Sequence, residues 1–472
     1  MNSSDQPMES RNPKDLAPPT NPDFNPSAFR KVVAASMVGT VAEWYEFFLY
    51  GMAAALVFGQ VFFQATGNPL DGVIAALLTY AVGFVARPIG GLIFGYFGDK
   101  IGRKRLLQVS LLMIGGSTFL IGAIPSFDQI GYWAPTLLVV LRFIQGVAVG
   151  GEWGGAILLV AEQAPDKQRG FYSSFPQLGA PLGNFLATIV LLALSQALPE
   201  SAFLSWGWRV AFFSSALIIF IGWFIRRKVG ESAIFEQVSE DSHAHNIFEA
   251  IKRVVRTRPR EVLTAMGTRV VENILYYIVV TFSLTYLKIE LGMSTTAILA
   301  LMLIGHAVQA PFILTFGRLS DLFGRRPVYT AGAILAGVYA FIAFPLMNTG
   351  RHGLILLAII IGLIIHASMY AIQPSMLAEM FPTNMRYVGV SIGNQVTTVL
   401  AGSLAPVIAT WLLREYQSWV PIGVYLGIAA AISLVALWFM RETVGKSLNA
   451  VDAETHLTPT HSTTPVLTAI KP

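Results

Sequence analysis

Long apolar runs, each broken by a short polar stretch, recur along this chain from Val32 to Met440. Crossing the hydrocarbon layer as a helix takes about 20 such residues. The runs predict twelve spans, at 32–58, 72–97, 106–125, 135–161, 174–195, 207–225, 263–287, 295–317, 328–347, 353–378, 388–413 and 421–440. Inside a bilayer every backbone polar group must pair within its own segment, which requires helices. A barrel would instead show roughly ten-residue segments of alternating polarity. The pattern therefore predicts an all-α membrane protein.

The sixth and seventh runs are separated by Arg226–Arg260, a hydrophilic stretch rich in both charge signs, so the spans fall into two sets of six. The expected organisation is an N-terminal tail 1–30, a six-helix bundle 31–226, a linker 227–261, a second bundle 262–440 and a C-terminal tail 441–472. The first tail is polar and proline-bearing, without the layout of a signal peptide, and reads as disordered. The last is rich in Thr and Pro, lacks heptads and reads as flexible.

Charge fixes the orientation. Lys100, Arg103, Lys104, Arg105, Lys167, Arg169, Arg226, Arg227, Lys228, Arg318, Arg325, Arg326 and Arg386 fall in breaks on one side, against Lys288, Arg351 and Arg414 on the other. Positive residues stay on the cytoplasmic side, which places both termini in the cytoplasm. The net charge of +5 is then a topology signal rather than a nucleic-acid footprint. Composition agrees with a lipid-embedded chain, since 54% of residues are hydrophobic and 12% charged. With no cysteine and only 7 histidines, none at ligand spacing, neither thiol chemistry, a metal site nor a cofactor is expected. No serine stands in a nucleophile-elbow context, so enzyme activity is not expected.

An internal repeat supports two related halves. Gly95-Tyr-Phe-Gly-Asp99-Lys-Ile-Gly102-Arg103-Lys104-Arg105 is echoed by Gly317-Arg-Leu-Ser-Asp321-Leu-Phe-Gly324-Arg325-Arg326, each after the second span of its half. Glu162-Gln-Ala-Pro165 with Arg169, and Glu379-Met-Phe-Pro382 with Arg386, form a second pair after the fourth span. Inverted or parallel repeats of this kind build many secondary transporters.

These loops resemble the signature of the major facilitator superfamily. The resemblance implies two pseudo-symmetric six-helix bundles that rock about a central site. It makes Gly95, Asp99, Gly102, Arg103, Gly317, Asp321, Gly324 and Arg325 gating residues, the aspartates meeting helix N-termini and basic groups. A solvated topology loop would account for the arginines but not for the aspartates or glycines. Further segments resemble the metabolite:proton symporters of that superfamily: Glu43-Trp44-Tyr45-Glu46-Phe47 with Tyr50-Gly51, Arg87-Pro88-Ile-Gly-Gly, Arg142-Phe-Ile-Gln145-Gly146 through Gly155, and Phe203-Leu-Ser-Trp206-Gly-Trp208-Arg209. Members of that family carry shikimate, α-ketoglutarate, citrate or proline and betaine, and the pattern is most similar to the shikimate branch. Glu46 stands where the family usually has Asp. The long C-terminal coiled coil of osmosensing members is absent from this sequence. The relatives imply a monomer.

Ionisable groups inside a span are functional candidates, because they are costly unless paired or facing a wet cavity. Glu43 and Glu46 lie near the midplane of span one, in one stripe with Phe47 and Tyr50. Together with Glu152 and Glu272 they are candidate proton carriers, Glu46 favoured because it matches the family's Asp; a static pair with an arginine is the plain alternative. Arg142, with Gln145 on its face, offers a bidentate fork to a carboxylate substrate or to a span-one glutamate. Arg269 and Glu272 can satisfy each other, with Asn273, Tyr276 and Tyr277 beside them. Tyr50, Arg142, Gln145, Arg269, Asn273, Tyr276 and Tyr277 are therefore the candidate substrate residues. Arg87 is similarly deep, next to a potential kink at Pro88. His306, Gln309, His366, Gln373, Asn394 and Gln395 read as helix-to-helix hydrogen bonds, and Trp133, Trp206, Trp208 and Trp419 as interfacial anchors. The predicted function is proton-coupled symport of a small organic acid. The alternatives are uptake of a zwitterion such as proline or betaine, and proton-coupled efflux. A uniporter would not need several buried carboxylates, and a receptor or scaffold would not keep intramembrane charge in both halves.

Overall fold

The computed structural model describes residues 26–101, 103–150, 158, 160–217 and 247–448, and among these every regular element is helical. The helices at the twelve expected spans are α1 (Pro26–Ala53), α2 (Pro69–Ile101), α3 (Arg103–Ala123), α4 (Trp133–Val149), α5 (Gly179–Ala197), α6 (Trp208–Phe213), α7 (Pro259–Tyr277), α8 (Thr295–Phe323), α9 (Arg325–Met347), α10 (His352–Tyr370), α11 (Thr383–Thr397) and α12 (Val420–Phe439), and among the described residues nine helical stretches are long and apolar enough to cross a membrane. Several continue past these bounds. A π-type turn, Ala54–Phe58, prolongs α1; Ile278–Phe282 prolongs α7; and Thr398–Gly402 prolongs α11 toward the helix Ala405–Tyr416. Single π turns concentrate at functional sites because they re-aim the side chains around them. That of α7 follows directly on Tyr276 and Tyr277, and that of α1 begins one turn after Tyr50.

The two sets of six pack by one scheme. α1 lies on α5, α2 and α3 on α4, and α3 on α6; correspondingly α7 lies on α11, α8 and α9 on α10, and α9 on α12. The halves meet along α5 with α8 and, symmetrically, α2 with the extension of α11. Lipid cannot supply a hydrophobic force between helices, so close approach depends on small residues. At Gly90 a Cβ would run into the Val147 carbonyl of α4, and at Gly150 into the Arg87 carbonyl of α2. Gly83 leaves room for the Arg142 side chain, since a Cβ there would stand 2.5 Å from Nε. The glycines thus bring Arg87 and Arg142 to one place.

Three expectations change. Trp208 is no interfacial anchor: it is fully buried, edge-on to Phe58, Phe62 and Phe212. Trp133 and Trp206 are exposed, whereas Trp419 stacks on Phe344. Part of the expected linker is an amphipathic helix, Ile247–Thr257, which buries Val254 and packs against α7 and α11 while Lys252, Arg253 and Arg256 face outward. The tail expected from residue 441 begins with an ordered segment, Arg441–Ser447, whose contacts are given below.

Candidate functional site

Two small cavities adjoin at Arg87. The first, with room for about one water molecule, lies among α1, α2, α3 and α4 and is lined by Glu43, Glu46, Phe47, Gly83, Arg87, Arg142 and Gln145 among others. Glu46 is 3% exposed and neither of its carboxyl oxygens has a hydrogen-bond partner. Thr118, beside it, commits its hydroxyl hydrogen to Ile114 O at 3.0 Å. Arg142 donates from Nη1 to Gln145 Oε1 at 2.5 Å, and Gln145 Nε2 donates to Thr118 Oγ1 at 2.9 Å. Nε and Nη2 of Arg142 have no hydrogen-bond partner. Its guanidinium lies instead over aromatic faces, 4.2 Å from the ring centre of Tyr50, 4.8 Å from Tyr80 and 4.9 Å from Phe47, which stabilises the cation without neutralising it. Tyr50 OH is bonded to Thr79 Oγ1 at 2.6 Å, so Tyr50 meets Arg142 through its ring.

The second cavity, with room for about two or three water molecules in this closed arrangement, lies between the halves and is lined from one side by Trp44, Arg87 and Ala180 and from the other by Arg269, Glu272, Asn273, Tyr276, Tyr277, Tyr370, Asn394 and Thr398. Arg87 borders both cavities, with its guanidinium 4.6 Å from the Phe47 ring centre and 4.9 Å from that of Phe84. Buried polar atoms on this wall that have no hydrogen-bond partner include Arg87 Nε, Tyr370 OH, Asn394 Oδ1 and Thr398 Oγ1. Buried polar groups are rarely left so, and a cluster of them around a cavity is what a polar ligand would satisfy. Glu272 stands 3.7 Å from Arg269 Nη2, accepts from Asn273 Nδ2 at 3.0 Å and bonds His366 Nε2 at 3.0 Å. Arg269 also donates to Gln373 Oε1.

Both mouths are shut. At the end carrying the basic loops, Arg169 of one half pairs with Glu379 of the other at 2.9 Å, and Arg386 pairs with Glu162 at 2.9 Å, the two bonds being related by the internal repeat. Glu379 also takes Arg325 at 3.2 Å and the Thr443 hydroxyl at 2.6 Å. Asp321 accepts from the backbone N–H groups of Gly170 and Phe171, both at 2.8 Å, and pairs with Arg325 at 2.6 Å. It thus caps the helix Arg169–Gln177 of the opposite half, where the helix dipole favours an anion. Gly324, at φ 102°, turns the chain so that the N–H groups of Arg325 and Arg326 reach Glu442 at 2.9 and 3.0 Å. The carbonyl of Lys446 accepts from Arg169 at 3.1 Å, so the start of the C-terminal segment spans both halves. At the other end Arg414 pairs with Asp71 and Lys288 with Glu200, again across the halves. The Lys288 ammonium holds the Glu200 carboxyl below the usual range.

The sequence candidates divide accordingly. Glu43, Glu46, Arg142 and Gln145 share the first cavity, whereas Arg269, Glu272, Asn273, Tyr276 and Tyr277 share the second. Tyr50 is packed beneath Arg142 and lines neither. Gly317, Asp321, Gly324 and Arg325 lie at the shut mouth; a Cβ on Gly317 would stand 2.6 Å from Ser174 Oγ. The side chains of Gly95, Asp99 and Arg103, and residues Gly102 and Glu152 altogether, lie outside the described residues. Among the described residues no group of acidic and histidine side chains could hold a metal ion. The sequence reading missed the partners Glu162, Arg169, Glu379 and Arg386, although the second repeated motif contains all four. It also missed Tyr370 and Thr398, single residues in apolar runs that carry no local signal, and took Trp44 only as part of a family-like segment.

The sequence matches the family model for sugar (and other) transporters over residues 31–454. It is 39% identical over 428 residues to the inner membrane metabolite transport protein YhjE of Escherichia coli, covering 89% of this chain and 95% of that one. It is 38% identical over 430 residues to the shikimate transporter of Escherichia coli, covering 90% and 98%. The proline/betaine transporter of Escherichia coli is 35% identical over 429 residues, covering 89% and 85%. Among solved structures, the proton:xylose symporter XylE bound to 6-bromo-6-deoxy-D-glucose superposes with a TM-score of 0.67 at 20% identity, over 91% of this chain and 100% of that chain, which establishes the same twelve-helix fold.

Proposed function

From the premise that this chain belongs to the sugar (and other) transporter family of the major facilitator superfamily, and is a multi-pass membrane transporter of metabolites, we propose that it moves a small organic anion together with protons by alternating access. The observation that carries this reading is the wall between the halves, where Arg87 and Arg269 face one cavity from opposite bundles and several buried polar atoms have no hydrogen-bond partner. Glu272 is already shared among Arg269, Asn273 and His366, so the cavity presents an excess of positive charge. A carboxylate with hydroxyl groups, as in a shikimate-like acid, would bridge the two arginines and supply acceptors and donors to Tyr370, Asn394 and Thr398. Glu46 carries the proton. A buried carboxyl without a partner is tolerable as the neutral acid, and opening of the first cavity would let it ionise against Arg142.

The paired mouths support an occluded state in which the site faces neither side, and the ion pairs at each end are the gates that open in turn. By the charge rule the end with Arg169 and Arg386 is cytoplasmic, with both termini on that side and the chain divided into the two bundles at the 227–261 stretch. A zwitterion is the second reading, favoured by the aromatic rings of Trp44, Tyr276, Tyr277 and Tyr370 beside Glu272, which suit a quaternary ammonium.

Uptake of radiolabelled shikimate, α-ketoglutarate, citrate, proline and betaine into proteoliposomes separates these readings. The expected result is gradient-driven accumulation of one of the acids and its loss in Arg87→Gln and Arg269→Gln. Accumulation of betaine or proline alone would replace the anion reading with the zwitterion one.

A further inference from the structure

The C-terminal half contains a buried polar chain that the transport reading above does not use. His306 and Gln309 on α8 and His366 on α10 are each at most 1% exposed. Their atoms run in order: His306 Nδ1 to Gln309 Oε1 at 3.1 Å, Gln309 Nε2 to His366 Nδ1 at 2.9 Å, and His366 Nε2 to Glu272 Oε1 at 3.0 Å. The donor sense follows from the amide. Gln309 Nε2 can only donate, so His366 Nδ1 accepts, its one hydrogen sits on Nε2, and that hydrogen goes to Glu272; His306 holds its hydrogen on Nδ1 and leaves Nε2 bare. His306 Nε2 has no partner. A chain built for packing alone would not end in an unsatisfied buried nitrogen.

The same atoms have a second arrangement. If the Gln309 amide turns over, its oxygen faces His366 Nδ1, which can then hold a hydrogen, and its nitrogen donates to His306 Nδ1, whose hydrogen moves to Nε2. One proton delivered by hydronium enters the chain: an O–H bond of the hydronium breaks, an N–H bond forms on His366 Nδ1 and a water is left, so that His366 becomes an imidazolium while His306 only exchanges one ring N–H for the other and stays neutral. Other groups face His366 as well. Tyr276 of α7 stacks on it with ring centres 4.2 Å apart, and Tyr370 of its own helix at 4.9 Å. Arg269 acts on it from α7. On α9, Tyr329 and Tyr339 spend their hydroxyls on Thr268 O and Ala358 O. Glu272 is therefore the one anion on the described elements packed around His366.

We propose that His366 is a second proton-holding residue, whose charge decides whether Glu272 neutralises Arg269 or leaves Arg269 to an anionic solute in the cavity between the halves. With His366 neutral, Glu272 and Arg269, 3.7 Å apart, compensate each other. With His366 charged, Glu272 has a nearer counter-ion and the net positive charge passes to Arg269, so that proton and anion favour each other's binding, as symport requires. His366 is a positioning residue here, acting on the solute through Glu272 and Arg269. The proposal rests on the reading that the cavity takes an anion.

Two measurements test it. In proteoliposomes, the KM for shikimate equilibrium exchange is followed from pH 5.5 to 8 in the wild-type protein, in His366→Gln and in Gln309→Leu. A single linked proton changes KM by up to about tenfold per pH unit. His366→Gln is expected to remove that share of the slope, and Gln309→Leu, which takes away the acceptor for the charged ring, to displace it toward acid. An unchanged profile in both variants overturns the proposal. Independently of any solute, histidine ¹⁵N spectra of the protein in nanodiscs should show a resonance, absent in His366→Gln, that passes from the Nε2–H tautomer to imidazolium as pH falls. A neutral tautomer throughout overturns it as well. If no acid on the panel is exchanged by the wild-type protein, the anion reading fails and the spectra alone decide the role of His366.

Discussion

Glu46→Gln is expected to abolish uphill accumulation of solute while sparing exchange of labelled for unlabelled solute. Glutamine has the shape of the protonated acid, so the substitution fixes the loaded form of a group that is buried and has no hydrogen-bond partner. Exchange needs only the loaded carrier to rock, whereas net accumulation needs the empty carrier to release its proton and return. Two pH units are worth about 2.7 kcal/mol per proton, a roughly hundredfold concentration ratio. The wild-type protein should approach that ratio and Glu46→Gln should remain at unity. Full accumulation by Glu46→Gln would move the proton site to Glu43, Glu152 or Glu272.

Glu379→Gln should unlock the mouth on the side of the basic loops. Glu379 is fully buried and compensates Arg169 from one half and Arg325 from its own. Removing one member of a buried pair strands the other charge, at a cost of about 3–5 kcal/mol. That cost falls only on the arrangement in which the mouth is shut, so the population shifts toward the open one. Because the chain has no cysteine, a single Ser174→Cys reports the opening without background. Ser174 is buried against Gly317 across the interface. Its alkylation should be faster by about a hundredfold or more in the Glu379→Gln background, corresponding to the lower end of that cost. An unchanged rate would mean that the ion pairs merely decorate a mouth closed by packing.

The fold was legible because the bilayer leaves few choices. Apolar runs of sufficient length must be helices, and the repeated Gly-Asp-Gly and Glu-Pro-Arg loops divide them into matching halves. The site was legible where charge stands inside an apolar run: Glu46, Arg142, Arg269 and Glu272 announce themselves by their cost. Which charges meet was not legible. Glu46 and Arg142 share a cavity without bonding, and Arg142 lies on the rings of Tyr50, Tyr80 and Phe47. The pairs Arg169 with Glu379 and Arg386 with Glu162 join positions more than 200 residues apart. Periodicity gives the face of one helix and not the neighbour it is turned toward. Trp208 illustrates the same limit, since its place near a span end suggested a lipid interface while its actual neighbours are Phe58, Phe62 and Phe212. His306, Gln309 and His366 were visible one by one, and only the packing of α8 on α10 makes them a chain.

The central claim is that anion and proton cross together. Its most direct measurement is the internal pH of proteoliposomes, reported by trapped pyranine, when shikimate is added outside without a preset pH gradient, beside parallel uptake of the labelled solute. Coupled transport predicts that the lumen acidifies in proportion to the shikimate taken up, and that Glu46→Gln produces no acidification. Entry of shikimate with no acidification would contradict it.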